Sequence, residues 1–244
     1  MANLPTSLEA AIAQSIEATK AALADGYNRV QVELLFPELK PMSVAEQFLP
    51  GLTQYGSQLK VFFPDAGAAA LARRDWGDVP FKIMDIGTGR MPVEVQMQPE
   101  DEAFLFIAPT AVEVSQVEKL CEAAGSRPVV MLNPYLQDVY TVGVGYAGRQ
   151  LRTRFLNSIE SCYYLRPLEE DVAVFRCYPS SWQILREIGG EYRVIVEMSN
   201  KPSADELDQI LSGKITQSPA PDAPPAKKPG IFASMQRFLR TISG

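Results

Sequence analysis

Histidine is absent from the 244 residues of this chain. The commonest acid–base group at neutral pH and the commonest metal ligand are therefore missing, which disfavours zinc sites and Ser-His or Cys-His catalysis and leaves no metal site to expect. Only three cysteines occur, Cys121, Cys162 and Cys177, and they form no CxxC pair. An odd, unpaired set suits a reducing compartment, where such residues serve as small core side chains. Long apolar runs are missing too: VFF and FLFIAP fall far below the roughly 20 residues that a membrane-spanning helix needs. The opening MANLPTSLEAAIAQ lacks a basic region followed by an apolar core, so no targeting segment is expected there.

What is present is a hydrophobic content of 46%, enough for one buried domain of about 200 residues with an appendage. The net charge is −6 but unevenly placed. From Lys214 onward five cations stand against Asp222 alone, a net of +4 that leaves −10 on the rest. An acidic body is a poor match for nucleic acid, whereas a basic tail is drawn to an anionic membrane surface or an acidic partner.

Thr6 to Glu9 spells T-x-x-E, a capping box, and Leu8, Ile12, Ile16 and Leu23 follow it at helical spacing until Asp25-Gly26. Stretches such as RVQVELLFP, LKVFFP, FKIMDI, AFLFIAP and PVVMLNP then alternate with helix-like segments. Nearly continuous hydrophobic strands alternating with helices predict an α/β domain whose mixed, mostly parallel sheet is covered by helices on both faces. After Asn133 the strands CYYLRPL, VAVFRCYP and EYRVIVEM crowd together, which predicts antiparallel pairing, and Ser203 with Glu206 can cap a last helix. The expected organisation is a single domain over 1–213, a Pro/Ala/Lys-rich tether over 214–230 and a basic amphipathic helix over 231–244.

Five apolar stretches end on proline, at Pro37, Pro64, Pro109, Pro134 and Pro179. Proline cannot donate to a sheet ladder, so each marks a strand exit, and parallel strands share one exit edge. Asp65, Asn133, Tyr178 and Trp182 are the residues that can line a ligand crevice there; strand termination alone also accounts for these prolines.

GVGYAG, residues 143–148, matches G-x-G-x-x-G, with VYTV before it and Glu169 downstream. In a dinucleotide site Gly143, Gly145 and Gly148 would admit a pyrophosphate and Glu169 would bind ribose hydroxyls. A glycine-rich connection before a helix explains the same letters. DIGTGR, residues 85–90, reads as a turn or a small anion nest with Arg90. Glu33, Asp65 and Asp85 lack the local pairing that marks a glycosidase or metal site, and no G-x-S-x-G elbow occurs. No catalytic residue and no cofactor is expected from these patterns.

Taken in order, ALADG, VELLFPEL, VFFPDAGAAALA, PVVMLNP, YYLRPL, FRCYPSSWQIL and KPSADEL resemble a domain-of-unknown-function family of cyanobacteria and chloroplasts, which includes the plant low photosystem II accumulation (type three) proteins. The resemblance covers residues 5 to 212. It implies a role in photosystem assembly at the thylakoid and, since the chloroplast relatives have no established catalytic residues, assigns none here. Without a transit segment the expectation is a cyanobacterial member on the cytoplasmic face of the thylakoid membrane, with a photosynthetic membrane-protein complex or its assembly factors as partner.

The tail lies outside that resemblance. Ile231, Phe232, Met235, Phe238, Leu239 and Ile242 fall on one helical face, beside Arg237 and Arg240 and just after Lys227 and Lys228. Half-burying six such side chains contributes about 5 kcal/mol, and each base near an anionic surface about 1 kcal/mol. A helix this short is marginal alone in water, so reversible attachment is expected. A membrane, a groove on a partner and the chain's own domain are the three candidate surfaces. The expectation is a non-enzymatic accessory factor; the alternative is a nucleotide-binding enzyme or sensor using residues 143–148.

Overall fold

A computed structural model describes residues 4–87, 92–137, 145–168 and 171–212. The fold is α/β, with nine strands among the described residues in mixed, mostly parallel pairing. Two compact units make it up: Thr19–Glu33 with Lys40–Ser161, and Met1–Ala18 with Leu34–Leu39 and Cys162–Gly244. Their elements begin with α1 (Leu8–Ala24) and β1 (Arg29–Leu34). The cap of α1 comes from Ser7, whose Oγ accepts from the Ala10 amide at 3.1 Å, one residue later than Thr6. The helix stops at Gly26, which takes φ 94°, a conformation glycine adopts without steric cost.

The first of these units is parallel. Its elements after β1 are α2 (Pro41–Phe48), a 3-10 helix (Leu49–Gln58), β2 (Leu59–Phe63), α3 (Ala66–Trp76) and β3 (Lys82–Asp85). Then come α4 (Val93–Gln96), β4 (Ala103–Ile107), α5 (Val114–Ala124), β5 (Val129–Leu132) and α6 (Tyr146–Arg154). The strands lie in the order β3-β2-β4-β5-β1, all parallel. Every residue of β2, β4 and β5 is buried, as expected where helices cover both faces. Phe62, Phe104, Phe106 and Met131 pack with Val117, Leu120 and Cys121 of α5 on one face. Phe63, pointing the other way, meets the Trp76 ring of α3 at 5.5 Å.

Burial pushes the Cys121 thiol up to about 12, against the opposing pull of the Arg29 guanidinium. The folded value exceeds the unfolded one, so the stabilisation is complete below the ordinary thiol range and is lost as pH rises towards 12. Stability should fall by about 1.4 kcal/mol per pH unit between about pH 9 and 12 from this group alone. Urea midpoints at pH 8, 9 and 10 measure it, and Cys121→Ala should flatten that part of the slope.

The second unit is antiparallel. After Leu8–Ala18 of α1 it holds β6 (Glu160–Pro167), β7 (Val172–Cys177), β8 (Trp182–Ile188), β9 (Glu191–Met198) and α7 (Ala204–Leu211). The strands form an antiparallel meander, as their close spacing predicts. On one face Tyr163 meets Phe175 edge-on at 5.8 Å and donates from its hydroxyl to Gln14 of α1 at 3.1 Å. On the other, Tyr164, Val174 and Trp182 pack beneath Leu207 of α7. Ser203 and Glu206 close the capping box at the start of α7, as the sequence predicts.

Candidate functional site

Within the parallel unit, the chain leaves β2 through α3 towards β3 and leaves β4 through α5 towards β5. Because α3 and α5 cover opposite faces, the carboxyl ends of β2 and β4 form a topological switch point, where open α/β sheets hold ligands. Asp65 stands there, after β2, and Asn133 stands at the same edge, after β5. The Asp65 carboxylate is engaged as the cap of α3, accepting from the Ala68 amide at 2.9 Å. Asn133 takes φ 48° and its amide donates to the Val32 carbonyl. Beside them, the Thr110 amide and hydroxyl both donate to Glu113. Asp65, Thr110 and Glu113 serve local turns and caps, and neither of the two cavities described below lies at this edge.

The other two predicted crevice residues belong to the antiparallel unit. Tyr178 follows β7 and Trp182 opens β8, so Pro179 sits in a turn between antiparallel strands instead of at a parallel exit. Trp182 is buried, 5.1 Å from the Tyr164 ring.

Tyr164 leads into the larger cavity, about 640 Å³, within the range of small-molecule sites. Alternation along β6 places Tyr164 and Arg166 on one face, and antiparallel register sets Arg176 and Val174 opposite them. Pro167, Leu168 and Val174 continue that wall. Pro37 reaches it because the Leu35 amide donates to the Leu165 carbonyl at 2.9 Å. The facing wall is α7, whose Ala204, Leu207, Asp208 and Leu211 recur at helical spacing and all line the cavity. Lys201 and Pro202 close one end.

The cavity's cations differ. The Lys201 ammonium lies 4.3 Å from the centre of the Tyr164 ring and 5.7 Å from that of Trp182, while Arg176 covers Trp182 at 5.3 Å. Such stacking fixes a flexible side chain over an aromatic face without neutralising it. Arg166 is exposed, and among the described residues its side chain makes no ion pair or hydrogen bond. Sequence reasoning named Trp182 behind this site but missed Tyr164, Arg166, Lys201 and Asp208. The usable signal was there: VELLFPEL, YYLRPL and KPSADEL, three of the segments that carry the resemblance, contribute most of the lining.

A second cavity, about 430 Å³, lies in the parallel unit between the 3-10 helix and the end of α3. It is lined by Leu52, Trp76, Val79 and Phe81, and the Trp76 indole donates to Glu46 at 2.8 Å. Of the glycine-rich match, Gly145 is the cap residue of α6 and Gly148 is buried within that helix. A side chain at Gly145 would meet nothing within 4 Å, and β5 ends at Leu132, well before it. Gly143, Glu169, Arg90 and the tail residues Lys227, Lys228, Ile231, Phe232, Met235, Arg237, Phe238, Leu239, Arg240 and Ile242 lie outside the described residues. Arg154 makes a bidentate pair with Glu118, at 2.6 and 2.8 Å. Glu33 is buried and accepts from Gln31 and Ser161. Among the described residues no group of three or more Cys, Asp or Glu side chains is placed to hold a metal ion, and no helix is long and apolar enough to cross a membrane.

No solved structure matches the chain. A family model described as a domain of unknown function, DUF1995, matches residues 5–209, a span that reaches into both units and takes in every residue lining the larger cavity except Leu211. The chain belongs to this family, DUF1995.

Proposed function

We propose that the chain is a non-enzymatic accessory factor in the biogenesis or maintenance of photosynthetic complexes, recognising its target through the cavity of the antiparallel unit. The observation that carries this reading is the convergence of VELLFPEL, YYLRPL and KPSADEL on one preformed cavity. Apolar walls beside two cations, Arg166 and a Lys201 held over Tyr164, suit recognition. Resemblance to the cyanobacterial and chloroplast family that includes the low photosystem II accumulation proteins supplies the photosynthetic context. Residues 231–244 supply attachment, at the cytoplasmic face of the thylakoid membrane or on a membrane-protein partner, through an apolar face flanked by bases.

Flotation with liposomes tests the attachment. The full chain should float with vesicles containing anionic lipid, less so at high salt, and a chain ending at Gly213 should stay in the dense fractions. Phe232→Ser with Phe238→Ser should weaken flotation at every salt concentration, because the apolar contribution is not screened. Arg237→Gln with Arg240→Gln should act mainly at low salt. Equal behaviour of the full and shortened chains would remove the membrane from this reading.

A further inference from the structure

We infer that the cavity between β6, β7 and α7 binds a small amphipathic anion, an apolar body carrying one carboxylate or phosphate head. The inference rests on the reading of this cavity as the recognition site and specifies what it recognises. Leu168, Val174, Leu207 and Leu211 give it apolar walls, and its volume of about 640 Å³ accommodates a medium-sized ligand. Among the described residues, the charged lining consists of two cations, Arg166 and Lys201, against one carboxylate, Asp208. Lys201 is held over Tyr164, so its ammonium is already positioned. Arg166, exposed and with no described partner, presents a planar fork that matches a carboxylate or phosphate in two-pronged geometry. The basic segment 231–244 of this chain would bring Arg237 and Arg240 against these same cations. Like charges across a contact disfavour that occupant.

Calorimetric titration of the full chain with laurate, dodecyl phosphate and dodecanol, each below its micellar concentration, tests the inference. One or both anions should bind saturably and at least about tenfold more tightly than the alcohol, the size of effect expected from a charged hydrogen bond. The tighter anion identifies the head group. Arg166→Gln should weaken anion binding about tenfold, and Asp208→Asn should tighten it, since removing a nearby negative charge favours an anion. Both side chains are exposed and hold no described structural bond, so melting temperatures should match the wild type. The inference is overturned by no saturable heat with either anion, equal affinity for dodecanol, an unchanged dissociation constant in Arg166→Gln, or weaker binding in Asp208→Asn. Displacement of bound laurate by a synthetic peptide of residues 231–244 would overturn it in favour of the chain's own tail. Flotation reports on the tail and anion titration on the cavity, so failure of one is distinct from failure of the other.

Discussion

Lys60→Met should destabilise the protein by about 3–5 kcal/mol, the cost of leaving a buried charge without its partner. Lys60 sits inside β2, 2% exposed, with its ammonium 2.7 Å from Asp101, itself 1% exposed. The same ammonium donates to the Gln96 carbonyl at 2.7 Å. Asp101 accepts a further bond from the Gln98 amide, while its other carboxylate oxygen is buried with no hydrogen-bond partner. Methionine keeps the length and apolar stem of lysine but removes the only cation in contact with this carboxylate among the described residues. For a chain of this size the melting temperature should drop by roughly 10 °C.

The double variant Lys60→Met, Asp101→Leu separates charge from packing. A buried pair replaced by apolar side chains is often neutral in stability, so the double variant should recover most of the loss. It should stop short by about 1 kcal/mol, because the Gln98 amide loses its acceptor. Circular dichroism melts of the wild type and the two variants suffice. A Lys60→Met chain within about 1 kcal/mol of wild type would show that Asp101 finds solvent or another cation, and the buried pair would lose its place in this account.

This network also reaches the segment after β3. The Gln96 side chain donates to the carbonyls of Asp85 and Ile86 and accepts from Gln116 of α5, so α4 is held to β3 and α5 through one amide. Because Lys60 binds the Gln96 backbone, its loss should loosen α4 together with β2. Faster hydrogen exchange at Gln96 and Met97 than at β5 would report this order of release.

The alternation of β2, α3, β3, β4, α5 and β5 was legible because each strand is short and bounded by a turn signal, and β2, β4 and β5 are almost wholly apolar. The antiparallel second half was legible from strands too close together to allow crossover helices. Lys60 was not. LKVFF reads as a strand with a polar interruption, and its partner lies in another segment, on the loop before β4. Only register brings the two together. The cavity escaped for a related reason. Tyr164, Val174 and Lys201 come from separate segments, and the face of α7 that meets them is ordinary in sequence, with Asp208 indistinguishable from any solvated acid. Asp65 was found correctly at a strand exit, but its carboxylate caps α3; D-x-x-A at a helix start could have suggested that. Pro179 looked like the other exits because VAVFRCYP ends on proline as they do, although the crowding of the strands around it already marked β7 as antiparallel.

The central claim is that this chain assists photosynthetic complexes through the cavity of its antiparallel unit, and the most direct measurement is photosystem accumulation in the source organism after the gene is deleted and restored. Arg166 is the residue to vary, because it lines the cavity, is exposed and carries no described structural bond, so Arg166→Glu should fold as the wild type does. Reversing its charge turns the balance of two cations and one carboxylate among the described lining residues into an excess of negative charge, which would repel the anionic ligand proposed for the cavity. Deletion should lower assembled photosystem severalfold on native gels of thylakoid membranes. The wild-type chain should restore it, and Arg166→Glu, present at normal abundance, should not. Unchanged photosystem in the deletion strain, or full restoration by Arg166→Glu, would contradict the account.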